Sequence, residues 1–284
     1  MFNIPFRWDL TNRNHLGSLI DGEQAVSYPS FSDHLLSCCA RVLAFGGDAD
    51  LIFVGRSPES IFDHLSGLLF DTSWFDRLEL LHFSMRFREE EAIRQEHPEA
   101  INAMRAYLRH LGLHPEGIAT RVRPAAFIDL VLTGDTFGRL VTFLRNWTNS
   151  NEYDWNAVKR RMRLIGITEK TKTSPKTWRW QQKASWVSVL QSRSIKNVSI
   201  PHALWHYLGN YQYKVSQSYT PSRWGDSELS SPTYSEEQLK ALRLAYNLFE
   251  FGRTKERRQQ FISLLVNEPA MKHQWFRNLV QEIR

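Results

Sequence analysis

The stretch from Ala125 to Leu140, AAFIDLVLTGDTFGRL, constrains the fold of this chain more than any other. It begins with an apolar run in which Asp129 is the one acid, and this run predicts a buried strand. Residues 133–136, Thr-Gly-Asp-Thr, then predict a tight polar turn. Apolar residues after the turn recur at helical spacing, namely Phe137, Leu140, Val141 and Leu144. The stretch therefore predicts a strand, a turn and a helix.

The chemistry of this unit indicates a ligand with both ribose and phosphate. A turn rich in Thr and Gly at a helix N-terminus presents backbone N–H groups and the positive end of the helix dipole, which together favour an anion. Asp129, near the end of the strand, can accept hydrogen bonds from sugar hydroxyls.

Other short apolar runs bounded by turn signals predict further strands at Leu51 to Val54, residues 78–87 and Met162 to Thr168. WVSVL, from Trp186 to Leu190, is interpreted as the last strand. Between the runs lie segments with helical periodicity, of which Phe31 to Phe45 is the clearest.

After residue 200 the pattern becomes mostly helical, and Ser235 with Gln238 three residues later predicts the start of a helix. The sequence thus predicts an α/β fold, with a mainly parallel sheet flanked by helices and a helical C-terminal extension. We divide the chain into an α/β domain over residues 1–200 and a basic helical region over residues 201–284.

The composition excludes several classes of protein. At 42% hydrophobic residues the chain can bury a substantial core, and no apolar run approaches the ~20 residues of a membrane span. Its two cysteines, Cys38 and Cys39, are adjacent, so a disulfide framework is excluded. We expect a cytoplasmic protein with no membrane partner.

The charge is distributed unevenly. Residues 1–150 hold 14 Arg, no Lys and 19 acidic residues, whereas residues 151–284 hold 22 Arg and Lys and 11 acidic residues. The second half is also rich in Trp. Nucleic acid is therefore one candidate partner of this half, through phosphate pairing and base stacking. The alternative is a solvated basic face over a Trp-rich core.

Two strand ends carry polar turns, and ligands of open α/β sheets bind at the carboxyl ends of strands. These turns are residues 55–59 and residues 133–136, and together they can grip two phosphate groups. Arg86 and Arg88 end a third predicted strand and can reach an anion or remain solvated. His202 and His206 share a helical face, but nothing near them at ligand spacing favours a metal site.

The sequence FIDLVLTGDT resembles the signature of the type I phosphoribosyltransferase family, an apolar strand with paired acids followed by a Thr-Gly-x-Thr turn. The resemblance implies that Asp129 is a catalytic residue that binds the ribose hydroxyls of phosphoribosyl pyrophosphate. It places Thr133, Gly134, Asp135, Thr136 and Phe137 around the 5′-phosphate. The segment LIFVGRSPES resembles the family's pyrophosphate loop, which implies substrate binding by Gly55, Arg56 and Ser57. Mg²⁺ is the cofactor that the resemblance implies.

The sequence departs from the family at two positions. Ile128 stands where the first acid of the pair falls, and Leu132 stands where some members carry an acid that contacts the base. Three hypotheses remain. The chain is a transferase of phosphoribosyl groups to an unidentified acceptor, a non-catalytic sensor of a ribose phosphate or nucleotide, or a nucleic-acid-associated regulatory protein.

Overall fold

The computed structural model describes residues 4–85, 89–170 and 180–284. Arg86 and Arg88, and residues 171–179, lie outside these ranges. Among the described residues no helix is long and apolar enough to cross a membrane. Cys38 and Cys39 are buried free thiols on one helix.

A five-stranded, all-parallel sheet forms the centre of the molecule, with the strand order β2-β1-β3-β4-β5. The strands are β1 (Asp50–Val54), β2 (Leu78–Leu81), β3 (Ala125–Leu130), β4 (Met162–Glu169) and β5 (Ile195–Ile200). Every residue of β1 is buried, as expected for a parallel strand covered on both faces. The predicted α/β fold with a parallel sheet is confirmed.

Two strand predictions need correction. Residues Ser185–Val189 form a 3-10 helix, and the last strand is β5, which pairs parallel to β4. This edge strand has the sequence IKNVSI, in which only Val198 and Ile200 are buried, so it offers no continuous apolar run to recognise. The second strand is only four residues long and ends at Leu81, although Phe83 and Met85 beyond it are buried.

The helices pack on both faces of the sheet. They are α1 (Arg13–Leu16), α2 (Phe31–Gly46), α3 (Glu59–Leu68), α4 (Glu90–Glu96), α5 (Ala100–His110), α6 (Pro115–Thr120), α7 (Asp135–Ser150), α8 (Trp155–Arg160), α9 (His202–His206), α10 (Glu236–Arg253), α11 (Lys255–Leu265) and α12 (Gln274–Ile283). Alternate residues of each central strand face opposite layers, because the side-chain period of a strand is two. Thus Leu51 and Phe53 pack with α2, α3 and the C-terminal helices, whereas Ile52 and Val54 pack with α4 to α8.

Of the helices after residue 200, α9 packs on β4 of the sheet, whereas α10 and α11 pack on α3 and α2. Leu204 of α9, Phe261 of α11 and Phe276 of α12 belong to the same buried cluster as Phe53 and Ile128 of the central strands. Helix α10 begins as its sequence predicts, because the Ser235 hydroxyl accepts a hydrogen bond from the backbone N–H of Gln238 at 3.2 Å. One hydrophobic cluster therefore contains residues from both parts of the predicted domain division.

Helices α3 and α10 approach each other closely through two glycines. A Cβ atom added at Gly67 would lie 2.0 Å from the backbone oxygen of Phe249, and one added at Gly252 would lie 2.9 Å from the backbone oxygen of His64. No side chain fits between backbones at these distances. The contact fixes α3, whose first turn borders the carboxyl end of β1.

We expect Gly67→Ala to lower the free energy of unfolding by about 1–3 kcal/mol or more, because the overlap with a backbone atom outweighs the better helix propensity of alanine. Urea denaturation followed by circular dichroism measures the change. Gln259→Ala on the exposed face of α11 is the matched control and should stay within about 0.5 kcal/mol of wild type. Wild-type stability in Gly67→Ala would contradict the close packing of α3 on α10.

Candidate functional site

The order of the strands creates a crevice at the carboxyl ends of β1 and β3. In this central pair, β1 has β2 as its other neighbour, and β3 has β4. Helix α3, which follows β1, covers one face of the sheet, and α7, which follows β3, covers the opposite face. The loops after β1 and β3 therefore diverge, and ligands of open α/β sheets bind at such a point.

A cavity of about 440 Å³ occupies this crevice. It is lined by the ends of β1, β2 and β3, by the turn before α7, and by residues 205–219 from the C-terminal half of the chain. Eight predicted site residues line it together, namely Gly55, Arg56, Ser57, Asp129, Thr133, Gly134, Asp135 and Thr136. The Phe137 side chain does not reach the cavity, because it is fully buried and packs on Trp180 with ring centroids 5.9 Å apart.

Helix α7 points its N-terminus at the cavity. Its N-cap residue is Gly134, which has a positive φ of 86°, and among the described residues no side chain caps the first turn. A Cβ atom at Gly134 would lie 2.3 Å from the Trp180 ring, so both the backbone conformation and the packing require glycine. The Thr133 hydroxyl donates a hydrogen bond to the Asp135 carboxylate at 2.7 Å and steadies the turn. The first backbone N–H groups of α7 thus remain available to an anion.

Asp129 lies at the carboxyl end of β3 and is only 6% exposed. Its Oδ1 atom accepts a hydrogen bond from the backbone N–H of Leu130 at 2.7 Å. Burial raises the pKa of Asp129 to about 7, although hydrogen bonds from Leu130 and Thr136 and the charge of Lys214 act in the opposite direction. A carboxyl group of this kind exists in both protonation states near neutral pH, which is common at binding and catalytic sites.

Two cationic side chains face the cavity. Arg56 is exposed and forms no ion pair within the described part of the chain. Lys214 is partly buried, and its Nζ atom donates to the backbone oxygen of Leu208 at 2.7 Å and to Oε1 of Gln212 at 3.1 Å. Burial lowers the pKa of Lys214 to about 8, against the attraction of Glu59, Asp129 and Asp63.

A buried polar network holds the segment that carries Lys214. The Glu59 carboxylate, at the first residue of α3, accepts hydrogen bonds from the backbone N–H groups of Val215 at 3.1 Å and Ser216 at 3.3 Å. Arg7 lies 3.5 Å from Glu59 and also pairs with Asp63. The N-terminal segment, α3 and the segment before Tyr219 are thereby joined beside the cavity.

Several residues of the site were not predicted from the sequence. His82 follows β2 directly and lines the cavity, so the rule that ligands bind at the ends of parallel strands could have found it. Lys214 and Trp205 come from far along the chain and carry no local signal that points to this site.

The residues present do not fit a magnesium ion held by the protein. Asp129 and Asp135 are the carboxylates that line the cavity, and Asp135 already accepts a hydrogen bond from Thr133. Among the described residues no group of three or more His, Cys, Asp or Glu side chains can hold a metal. His202 and His206 stack with ring centroids 5.2 Å apart, and His202 contacts Glu169 at 2.9 Å.

Comparison with known proteins returned no match to a protein-family model, to a curated protein or to a solved structure. The site must therefore be interpreted from its own geometry.

We expect Asp129→Asn to stabilise the protein at pH 8. Asparagine is isosteric and uncharged, so it avoids the cost of a buried carboxylate. A pKa of about 7 against an ordinary value of 3.8 corresponds to a cost on the order of 4 kcal/mol when the group is ionised. The folded state binds the proton more tightly than the unfolded state, so this cost is complete above about pH 7 and shrinks as the pH falls toward 4.

Thermal unfolding of both proteins across pH 4–8 measures this difference. Asp76→Asn, at an exposed position, is the control and should change the melting temperature little at any pH. A melting temperature of Asp129→Asn at or below wild type at pH 8 would show that the Asp129 carboxyl does not carry this cost.

Proposed function

We propose that the protein binds a phosphorylated ribose ligand, phosphoribosyl pyrophosphate or a related ribose phosphate, in the crevice between β1 and β3. The observation that carries this proposal is the convergence of an open helix N-terminus, two cationic side chains and a buried carboxyl in one cavity. The phosphate lies against the first turn of α7, with Arg56 and Lys214 as its counter-charges. The Asp129 carboxylate accepts hydrogen bonds from the ribose hydroxyls.

The proposal extends the sequence resemblance to the type I phosphoribosyltransferases by an independent physical argument. The turn after β3 and the turn after β1 come from distant parts of the sequence, and the fold places them on one cavity. Each contributes a group that favours an anion, namely the α7 N-terminus and Arg56. The cavity is also concave and partly buried, so an ordered ligand loses much of its contact with water there.

Binding without turnover accounts for the site better than transfer. Ile128 is fully buried in the core on the side of α2 and α3, so the crevice has one acid at the end of β3 where the family has two. Leu132, at the position where some family members carry an acid toward the base, is mostly exposed at the cavity edge. We therefore favour a ribose-phosphate or nucleotide sensor in a reducing, cytoplasmic setting, and we retain phosphoribosyl transfer as the alternative.

Calorimetric titration with ribose 5-phosphate and with phosphoribosyl pyrophosphate, each with and without Mg²⁺, tests the proposal. We expect ribose 5-phosphate to bind without Mg²⁺, because the contacts proposed for it come from the protein. Arg56→Gln should weaken binding by about 10-fold or more, since a charge-assisted hydrogen bond contributes about 1.5–3 kcal/mol. Arg193→Gln, at the amino ends of the strands and so away from the crevice, is the control.

No binding of either sugar phosphate by the wild-type protein would refute the proposal. Release of pyrophosphate from phosphoribosyl pyrophosphate in the presence of an acceptor would support transfer over sensing. A requirement for Mg²⁺ with phosphoribosyl pyrophosphate alone would show that the metal enters with the ligand's own oxygens.

A second groove favours nucleic acid as a further partner. It lies at the amino ends of the strands and has a volume of about 660 Å³. Its charged and aromatic lining comprises Arg160, Arg163, Arg193, Lys196, Lys272 and Trp275, with the acids Asp48 and Glu268. Arg163 and Lys196 donate to backbone oxygens at the end of α2. Arg193 and Lys272 are exposed and can meet phosphate groups.

We expect a single-stranded oligonucleotide to bind this groove with an affinity that falls steeply with salt. Fluorescence anisotropy at about 50 mM and about 200 mM salt measures the effect, because charges are screened more strongly at the higher concentration. The double substitution of Arg193 and Lys272 by Gln should remove most of the binding, whereas Arg56→Gln should not. An absence of binding at the lower salt concentration would exclude this partner.

A further inference from the structure

A row of aromatic rings ends at the basic groove at the amino ends of the strands. Trp74, which is only 2% exposed, lies beside Trp275 with ring centroids 5.6 Å apart and an interplanar angle of 31°. Trp275 in turn stacks with His273, with centroids 6.3 Å apart and an angle of 17°. Trp275 is partly buried, His273 is exposed, and both line the groove. The row therefore runs from the core to the surface of the protein.

The inner part of this row is fixed by its neighbours. The guanidinium carbon of Arg77 lies over the Trp74 ring, 4.1 Å from its centroid. Trp275 packs edge-on against Phe276, a fully buried residue, with ring centroids 5.1 Å apart. These contacts hold both tryptophans before any ligand binds, which lowers the entropic cost of adding a further ring to the row.

The backbone at the outer end of the row is held as well. His273 lies directly before α12, and its N–H donates a hydrogen bond to the backbone oxygen of Ala270 at 2.9 Å. Arg277 donates to the backbone oxygen of the preceding residue, Lys272, at 2.9 Å. Among the described residues, Trp275 is the one ring that stacks with His273. One face of the imidazole is thus used by Trp275, and the other is free to stack with a planar group.

Cations surround this outer end. Lys272 precedes His273 in the sequence, and Arg193 lines the same groove. Both cations are exposed, and within the described ranges neither forms an ion pair. Five cations and two acids line the groove, and one of the acids, Asp48, is already paired with Arg77 at 2.6 Å. The groove is therefore complementary in charge to a polyanion.

The exposed ring among these cations distinguishes between kinds of polyanion. An acidic protein surface would use the charges, but it offers no regular series of planar groups to the ring. A duplex offers phosphates, but its bases stack on one another and their faces are covered. A single strand offers phosphates together with unstacked bases, and histidine is one of the side chains on which such bases stack.

We propose that the groove recognises single-stranded nucleic acid by an unpaired base that stacks on the free face of His273, while Lys272 and Arg193 contact the neighbouring phosphates. The base extends the row of Trp74, Trp275 and His273 by one ring. This inference rests on the nucleic-acid partner proposed above, which the charges of the groove support, and it adds the group that recognises a base.

An abasic strand separates the two contributions, because it carries the phosphates without the bases. Fluorescence anisotropy at about 50 mM salt compares a single-stranded oligonucleotide with an abasic strand of the same length. We expect the strand with bases to bind the wild-type protein about 5-fold or more tightly, which is the lower end of the effect of one stacked base.

Substitutions at His273 test the stacking ring. His273→Ala should weaken the strand with bases by about 5-fold or more and leave the affinity for the abasic strand unchanged, which also shows that the groove is intact. His273→Phe keeps an aromatic ring without its nitrogens and should retain the preference for bases. Lys272→Gln should weaken both strands by the same factor. His15→Ala, at an exposed histidine that does not line the groove, is the matched control and should change neither affinity.

Equal affinity of the wild-type protein for the two strands would overturn this inference and leave the nucleic-acid partner intact. The same holds if His273→Ala weakens both strands equally, which would indicate a structural role, or if His273→Phe fails to retain the preference. Failure of both strands to bind would overturn this inference and the nucleic-acid partner together.

Discussion

The parallel pairing of β1 with β3 is the constraint on which the rest of the structure depends. Because all strands run in one direction, their carboxyl ends meet at one edge of the sheet, and every loop after a strand begins there. In the order β2-β1-β3-β4-β5, the chain leaves β1 toward β2 and leaves β3 in the opposite direction, toward β4. The loops that begin with Gly55 and Val131 consequently separate and leave room for a cavity, whereas loops that continued in one direction would cover the sheet edge.

The buried contact of Glu59 with the backbone of Val215 and Ser216 completes the site. Through this contact the segment that contains Lys214, from the helical C-terminal half, is held at the strand ends, where Lys214 lines the cavity. Isolating such a carboxylate from water is expensive unless hydrogen bonds and an ion pair compensate it, and here two N–H groups and Arg7 do so. The N-terminal segment, the sheet and the C-terminal half thus depend on one another at this cavity.

The parts of the fold that the sequence predicted share a local pattern. Strands β1 and β4 are nearly continuous apolar runs, and α2 and the start of α10 have clear periodicity or capping residues, so their positions could be read directly. Strand β5 was missed because one side of it is polar, and the apolar WVSVL segment nearby forms a 3-10 helix. Pattern recognition works where burial is uniform along an element and fails at the edge of the sheet.

The same distinction applies to the site. Asp129 and the turn from Thr133 to Thr136 are contiguous with a strong strand, so local sequence identified them. Lys214, Trp205 and the partners of Glu59 come together only through tertiary packing, because their separation along the chain leaves no periodic signal. Phe137 was predicted to contact the phosphate because it follows Thr136 directly, but its side chain in the first turn of α7 points into the core.

The site also combines features that oppose stability with features that favour a ligand. Asp129 is buried at a cost, and the first turn of α7 has no side-chain cap among the described residues. Natural proteins often retain such costs at functional sites. Both features lie on one cavity here, and a ribose phosphate has hydroxyl groups for the carboxyl and a phosphate for the helix N-terminus.

A crystal structure of the complex with ribose 5-phosphate tests this account most directly. We expect the phosphorus atom to lie at the N-terminus of α7, with phosphate oxygens within hydrogen-bonding distance of backbone N–H groups of residues 134–137 and with Arg56 turned toward them. We also expect a ribose hydroxyl in contact with the Asp129 carboxylate. A phosphate bound in the basic groove at the amino ends of the strands, with the crevice between β1 and β3 empty, would contradict it.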